Sequence, residues 1–309
     1  GRRTALDALG TESTPLRTAA ARALGAVGTA DQVPTLVDLL DADASTLRTA
    51  ASSALRSMSG DGVSAALLKG LETASPKVKV TLVNILVDRR DAAAVPRLVD
   101  FLGSSIQKLR VAALRGLRTL GKAGQVPALL EMVRIAGDRE KRLARTAVLD
   151  ICRRGGKKAG KIVLHELKNT EEPAVKSVLL RALGQVGSER ALNRVHAATS
   201  AEEAAVRDVA YRVLAGWSSP EAAPVLLEAA KAASKDSQRV LCLRGYVGLA
   251  RKVSAGERAK MLERAEKLVR TPAVKKRIVS AWGSIATPKS LKALMRHLKD
   301  STVRQEAAA

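Results

Sequence analysis

Three histidines, two cysteines and one glycine- and lysine-rich segment are the residues of this 309-residue sequence whose types could do chemistry. His165 and His196 each stand ten positions before an apolar residue that opens a new helix pair, so they should occupy matching places on neighbouring helices. A metal between them would need both imidazoles to lean together and a third ligand, but Lys161 and Lys168 flank His165 where carboxylates would be wanted. His297 falls at another register, and no histidine has a serine or cysteine at a spacing that suggests a nucleophile and its base. Cys152 and Cys242 sit inside helical apolar patterns and read as small buried hydrophobes that stay unpaired. The run Arg153-Arg154-Gly155-Gly156-Lys157-Lys158-Ala159-Gly160-Lys161 has neither the spacing nor the preceding strand of a phosphate-binding loop, and reads as a solvated turn between helices. The expectation is of no catalytic residue, no metal and no cofactor: a binding protein and not an enzyme.

Charge is distributed less evenly than solvated helix faces require. Of a formal net charge of +23, nearly all lies in two blocks: residues 108–168 hold sixteen basic and five acidic residues, and residues 251–299 hold fourteen and three. Such segregation builds anion-attracting fields. Within the blocks, Lys157, Lys161, His165 and Lys168 follow one helical face, as do Lys260, Arg264 and Lys267, and then Lys289, Lys292, Arg296 and Lys299. These ten lysines and arginines are the candidate polyanion-binding residues. With only one Phe, two Trp and two Tyr, base stacking has few platforms, so any nucleic acid would be held through its phosphates without sequence readout. Trp217 and Trp282 read as packing.

The elements that position these residues come from an internal repeat. Arg22-Ala23-Leu24-Gly25-Ala26-Val27-Gly28 and Arg181-Ala182-Leu183-Gly184-Gln185-Val186-Gly187 match almost letter for letter. Around them an opening aliphatic and a second apolar residue eight positions later recur at Leu16/Leu24, Leu47/Leu55, Val78/Leu86, Leu109/Leu117, Leu143/Ile151, Val175/Leu183, Val206/Leu214, Leu241/Leu249 and Val274/Trp282, with a further helix opening at Val303. Each unit pairs a first helix with a second whose apolar residues are three and four apart, as in Val33, Leu36, Val37, Leu39 and Leu40. Pro34, Pro96, Pro127 and Pro224 fall in first turns of second helices, where a missing N–H costs little. No segment alternates with period two for the length of a strand, and no apolar run is long enough to span a membrane. Neither helix of a unit can bury its apolar face alone, so units must stack.

The pattern Leu/Val-Arg-x-x-Ala-x-x-Ala-Leu-Gly, seen from Leu16-Arg17 through Leu24-Gly25, resembles the bacterial HEAT-like repeat of phycobilisome lyases, over essentially the whole chain. The resemblance implies an all-α, right-handed α-α superhelix, a HEAT-like solenoid of about nine to ten two-helix repeats. It is expected to occupy residues 1–309 as one domain cut within a repeat at both ends. A basic residue follows the opener at Arg17, Arg48, Lys79, Arg110, Lys176, Arg207, Lys275 and Arg304. The resemblance makes it a structural ladder, bonding backbone or an aspartate of an adjacent turn such as Asp43 or Asp300. Leu214-Ala215-Gly216-Trp217 and Arg239 through Tyr246 also resemble HEAT regions of large bacterial multidomain proteins, which leans towards an exported bacterial protein. Adjacent second helices commonly line the concave side of such a solenoid, so the basic stripes are expected there. The implied function is a non-catalytic scaffold whose curved face binds a protein partner or neighbouring domains of its parent chain. The alternative is a polyanion-binding module, for nucleic acid above all, using blocks 108–168 and 251–299.

Overall fold

The computed structural model describes residues 1–308, and among them there is no strand. The chain divides into two compact units, Gly1–Ile151 and a second from Cys152 onward. In chain order the helices are α1 (Arg2–Leu9), α2 (Thr14–Val27), α3 (Val33–Asp38), α4 (Ser45–Ser57), α5 (Val63–Thr73), α6 (Pro76–Asp88), α7 (Val95–Asp100), α8 (Gln107–Leu120) and α9 (Val126–Ile135). Then come α10 (Asp138–Lys168), α11 (Pro173–Val186), α12 (Glu189–Ala197), α13 (Ala204–Ala215), α14 (Ala223–Ala232), α15 (Asp236–Ala250), α16 (Ala255–Glu266), α17 (Pro272–Gly283), α18 (Pro288–His297) and α19 (Arg304–Ala308). The long α10 is two helices joined at Gly156, whose φ of 49° and ψ of −130° leave the helical region. The glycine-rich run is thus the turn of a helix pair, reduced to one residue that tolerates positive φ. Counting α10 as a pair, the described residues form nine complete pairs, with α1 as a leading second helix and α19 as a trailing first helix.

Local chemistry sets the boundaries. Ser13, Ser75, Ser188, Ser254 and Thr287 are N-caps whose hydroxyls accept from backbone N–H groups one turn on, satisfying donors the helix cannot. Pro34, Pro96, Pro127 and Pro224 lie in the first turns of α3, α7, α9 and α14, as their sequence positions require. First helices then pack side by side, α2, α4, α6 and α8 in the first unit and α11, α13, α15, α17 and α19 in the second. The matched glycines mark how closely they approach. A Cβ on Gly25 would come 2.8 Å from the Ala54 Cα of α4, and one on Gly184 would come 2.7 Å from Val213 Cγ1 of α13. Both distances are shorter than real Cβ contacts, so the recurring Ala-Leu-Gly is a packing requirement between neighbouring repeats.

The structure corrects the register of two units. In each first helix from α2 to α17 the opening position is the third residue, which makes it Glu140 in α10 and Gln238 in α15, not Leu143 and Leu241. Both polar residues are buried, while the two leucines are only half-buried. Eight positions on, Val148 and Tyr246 take the core place that Leu24, Leu55, Leu86, Leu117, Leu183, Leu214 and Trp282 hold elsewhere. The leucines misled because they lie three residues later, on nearly the same helical face, and because polar residues fill the true positions. Each has a polar partner in the preceding repeat: Glu140 Oε1 accepts from Arg110 Nε at 2.6 Å, and Gln238 Nε2 donates to Asp208 Oδ1 at 3.0 Å, while Gln238 Oε1 is buried without one. Leu16 is a different departure, being exposed.

With the register corrected, Arg239 joins the basic ladder. Its guanidinium donates to the Ala230 and Ala233 carbonyls at 3.2 and 2.9 Å. Arg48 donates to the Ala42 and Asp43 carbonyls at 2.7 and 2.6 Å, Arg110 to those of Ser104 and Ser105 at 2.7 and 3.1 Å, and Arg207 to those of Ala201 and Glu202 at 2.6 and 2.5 Å. Arg304 reaches the Leu298 carbonyl at 3.0 Å. Each cation therefore caps free carbonyls at the end of the preceding second helix, where the helix dipole is negative. Aspartate plays a different part from the one expected: Arg48 uses the backbone of Asp43, and the Asp300 carboxylate pairs with Lys275 of the preceding repeat rather than with Arg304. Lys176 likewise spans Glu171 at 2.7 Å and Glu203 of the next repeat at 3.3 Å. Arg17 departs again, its Nε buried without a hydrogen-bond partner.

Two outcomes follow for stability. The Glu140 side chain is only 4% exposed beneath Arg110. Arg110→Ala, which strands that carboxylate, should cost about 3–5 kcal/mol in urea unfolding, and adding Glu140→Leu should recover most of it. The second concerns pH. The Lys77 ammonium holds Asp41 below the usual carboxylate range, Lys275 and Thr302 do so for Asp300, and Lys276 does so for Glu306. Glu203 is lowered by its own backbone N–H and by Lys176. Because the folded values are depressed, the stabilisation is complete above the unfolded values near pH 4 and disappears as pH falls through the folded ones. Thermal melts by circular dichroism should give a flat Tm from about pH 7 to 5 and a fall below about pH 4, with Asp300→Asn shallowing the fall.

Candidate binding surface

The residues expected to hold a polyanion fall into two groups, both on second helices. Lys157, Lys161 and Lys168 lie along α10 beyond the Gly156 break, all exposed and, among the described residues, without an ion pair. His165 on the same stretch lies within hydrogen-bond distance of Asn169 Nδ2, at 3.0 Å. Two second helices, α12 and α14, separate this group in the chain from the other.

The other group is brought together. Lys260 and Arg264 lie on α16 with Lys267 at its C-cap; Lys289, Lys292 and Arg296 lie on α18 with Lys299 just beyond it. Lys289 Nζ bonds Glu263 of α16 at 3.0 Å and so fixes the two helices side by side. Glu266 adds a second tie, accepting from Trp282 Nε1 of α17 at 2.7 Å and meeting His297 Nε2 of α18 at 2.8 Å. Trp282 and His297 are thereby structural, with the tryptophan filling the core and its indole N–H satisfied.

The lysines and arginines of this group are not equivalent. Lys260 and Arg264 share Glu257 at 3.6 and 3.8 Å. Lys267, Lys292, Arg296 and Lys299 are exposed and have no carboxylate partner among the described residues. The three acids of the block are therefore all engaged, and four cations remain free for an incoming anion.

Beside them lies a feature that reading the charges alone passes over. Leu291, Met295 and Leu298 are 60%, 58% and 39% exposed, four and three residues apart along one face of α18. A shared contact sets the comparison with other second helices, a side chain three residues on accepting from a backbone N–H: Gln32 from Thr29, Gln125 from Lys122, and Ser290 from Thr287. Measured from that contact, the stripe corresponds to Val33, Val37 and Leu40, and to Val126, Leu130 and Val133, all buried. Val37 shows what covers that face, since its Cγ2 would lie 3.5 Å from a Cβ on Gly70 of α5, the next second helix. On α18 the same face is not covered by any described helix. Its signal in the sequence was helical apolar spacing, which is identical for a covered and an uncovered helix.

Burial pushes the thiols of Cys152 and Cys242 up to about 12, which keeps them protonated and poor nucleophiles. Both are free thiols. Among the described residues no three His, Cys, Asp or Glu side chains gather as a metal site would need, and no helix is long and apolar enough to cross a membrane.

Comparison with known proteins places this architecture. A family profile described as HEAT repeats matches residues 2–56, 64–150 and 160–242. No curated protein matches the chain in sequence. Among solved structures, the karyopherin Kap121p bound to the extreme C-terminus of the protein phosphatase Cdc14p is similar with a TM-score of 0.62 at 12% identity, covering 99% of this chain and 41% of that one. Kap95p, from a structure with RanGDP, has a TM-score of 0.52 at 12% identity, covering 99% and 50%. The complex of CpcE and CpcF of phycocyanin lyase from Nostoc sp. PCC7120 has a TM-score of 0.34 at 17% identity, covering 87% and 95%. The chain thus spans 41% and 50% of the two karyopherin chains, whose likeness extends to the fold. With the profile matching most of its length and every first helix from α2 to α17 carrying the same register, the chain belongs to the HEAT-repeat family.

Proposed function

We propose that the chain is a protein-binding scaffold without chemistry of its own, and that its α16–α18 surface takes an acidic, amphipathic helix of a partner protein. The observation that carries this reading is the pairing on α18, the last second helix among the described residues, of an apolar stripe that no described helix covers, Leu291, Met295 and Leu298, with the cations Lys292, Arg296 and Lys299 one position along from each. An apolar stripe at helical spacing is what a helix lays down in a groove, and flanking cations select acidic neighbours on that helix. The corresponding faces of α3 and α9 are buried, so the shape of the surface is already one that packs against apolar side chains. The similar karyopherin Kap121p is seen bound to the extreme C-terminus of the protein phosphatase Cdc14p, so a stack of this fold can take a segment of another protein.

The nucleic-acid reading needs phosphates alone and leaves the apolar stripe without a use. That reading and this one separate by salt. Phosphate contacts weaken steeply as salt rises, whereas apolar burial persists at about 1 M, where the screening length is about 3 Å.

The test uses a fluorescent helical peptide of about eighteen residues, with leucines at i, i+4 and i+7 and glutamates beside them, and reads anisotropy. Binding is expected, weakened at least about tenfold by Leu291→Ser with Met295→Ser and retained in part at high salt. Lys292→Glu with Arg296→Glu should weaken it chiefly at low salt. Failure of the peptide to bind while duplex DNA or heparin does would replace this reading with the polyanion one. A chain that self-associates through α18 and dissociates on the leucine and methionine substitutions would show that a second copy is the occupant.

A further inference from the structure

The first helices of the second unit build a separate basic groove. A cavity of about 590 Å³ has Arg244, Gly248 and Arg251 in its wall from α15 and its C-terminal cap, Lys276 and Arg277 from α17, and Glu306 from α19. Arg244, Gly248 and Arg251 are four and three residues apart, so they share one face of α15 over a rise of about 10 Å. The one carboxylate here is committed, since Glu306 bonds Lys276 at 2.7 Å and is held below the usual carboxylate range by it. Arg244, Arg251 and Arg277 are exposed at the groove, and none has a carboxylate partner among the described residues. Three arginines along one groove without a carboxylate partner make it a region of positive potential that favours an entering anion.

The floor between the arginines is missing a side chain. A Cβ on Gly248 would meet nothing within 4 Å, so this glycine is not required by packing, unlike Gly25 or Gly184. In a helix interior it carries a conformational cost that alanine would avoid. Its effect is to open the helix surface between Arg244 and Arg251. Gly248 and Arg244 also stand in the wall of a second cavity of about 520 Å³, which is lined by Gly216, Trp217, Gly245 and Leu249. Both are open depressions on the surface, and they adjoin at Arg244 and Gly248.

We propose that Arg244, Arg251 and Arg277 around Gly248 form a binding site for a small ligand carrying a chain of phosphate groups. The planar fork of arginine matches phosphate oxygens with paired N–H donors, and three such forks about one open patch suit several linked phosphates better than one. The ligand can be a free polyphosphate or the phosphate tail of an organic molecule whose body enters the Trp217 cavity. This site shares no residue with the α16–α18 surface, so the two readings stand or fall separately.

Isothermal titration of the 309-residue chain at about 50 mM salt, with inorganic tripolyphosphate and with a nucleoside triphosphate, tests this. Both probes are expected to bind. Equal affinities identify the phosphates as the whole ligand; tighter nucleotide binding, with a change in Trp217 fluorescence, places the organic body in the adjoining cavity. Arg244→Ala with Arg277→Ala should weaken either probe at least about tenfold. Gly248→Glu, which puts a carboxylate among the arginines where the backbone has room, should do the same with unchanged helicity. Lys292→Glu with Arg296→Glu should leave the affinity within about twofold, because those cations lie elsewhere. Absence of binding by both probes overturns the proposal, as does binding that survives both the double arginine substitution and Gly248→Glu.

Discussion

Each helix pair of this chain is stable only because its neighbour covers it. A first helix such as α2 presents alanine and glycine to α4 closely enough that a Cβ at Gly25 would strike the Ala54 backbone, and a second helix such as α3 lays Val37 on α5. Neither surface has another partner. Burial is therefore a relation between repeats, with the stability of each unit set by its own hairpin and by the interface to the next.

That constraint assigns part of the positive charge before any ligand is considered. Arg48, Arg110, Arg207 and Arg239 cap carbonyls at the ends of preceding second helices, and Lys176 and Lys275 reach carboxylates of the following repeat. A second set works at the far ends of first helices: Arg89 donates to the Leu55, Arg56 and Met58 carbonyls, and Lys252 to that of Ser218. These cations neutralise helix C-termini that stacking brings together, a role that needs no partner molecule. A strongly basic composition in a helical-repeat protein thus overstates the charge left for binding. What remains includes Lys157, Lys161 and Lys168 on α10, the cations of α16 and α18 beside an apolar stripe, and those along α15 and α17 around Gly248.

The two surfaces differ in what made them. On α18 the apolar face is the one that other second helices bury, left uncovered by the described residues, so its chemistry is that of a repeat interface with cations along its edge. Along α15 the arginines surround a glycine that packing does not explain, at a place where first helices leave a cavity. The first surface is suited to another helix and the second to a compact anion, because one offers contact area and the other offers donors around a void.

Period, punctuation and the small aliphatic composition were enough to establish an all-α repeat, the placing of its prolines and the ladder of basic residues, since each depends on local helix geometry or on positions one repeat apart. The sequence also determined where charge collects. It did not determine the opening register in α10 and α15, because Glu140 and Gln238 are polar residues whose burial depends on Arg110 and Asp208 in the preceding repeat, while Leu143 and Leu241 imitate the pattern one turn later. Nor did it separate engaged from free cations, as Lys289 and Lys292 look alike until one is found on Glu263 of the neighbouring helix. Exposure of Leu291, Met295 and Leu298 was likewise decided only in three dimensions. Helical spacing says which residues share a face, and only the neighbouring helix, present or not, says whether water reaches it.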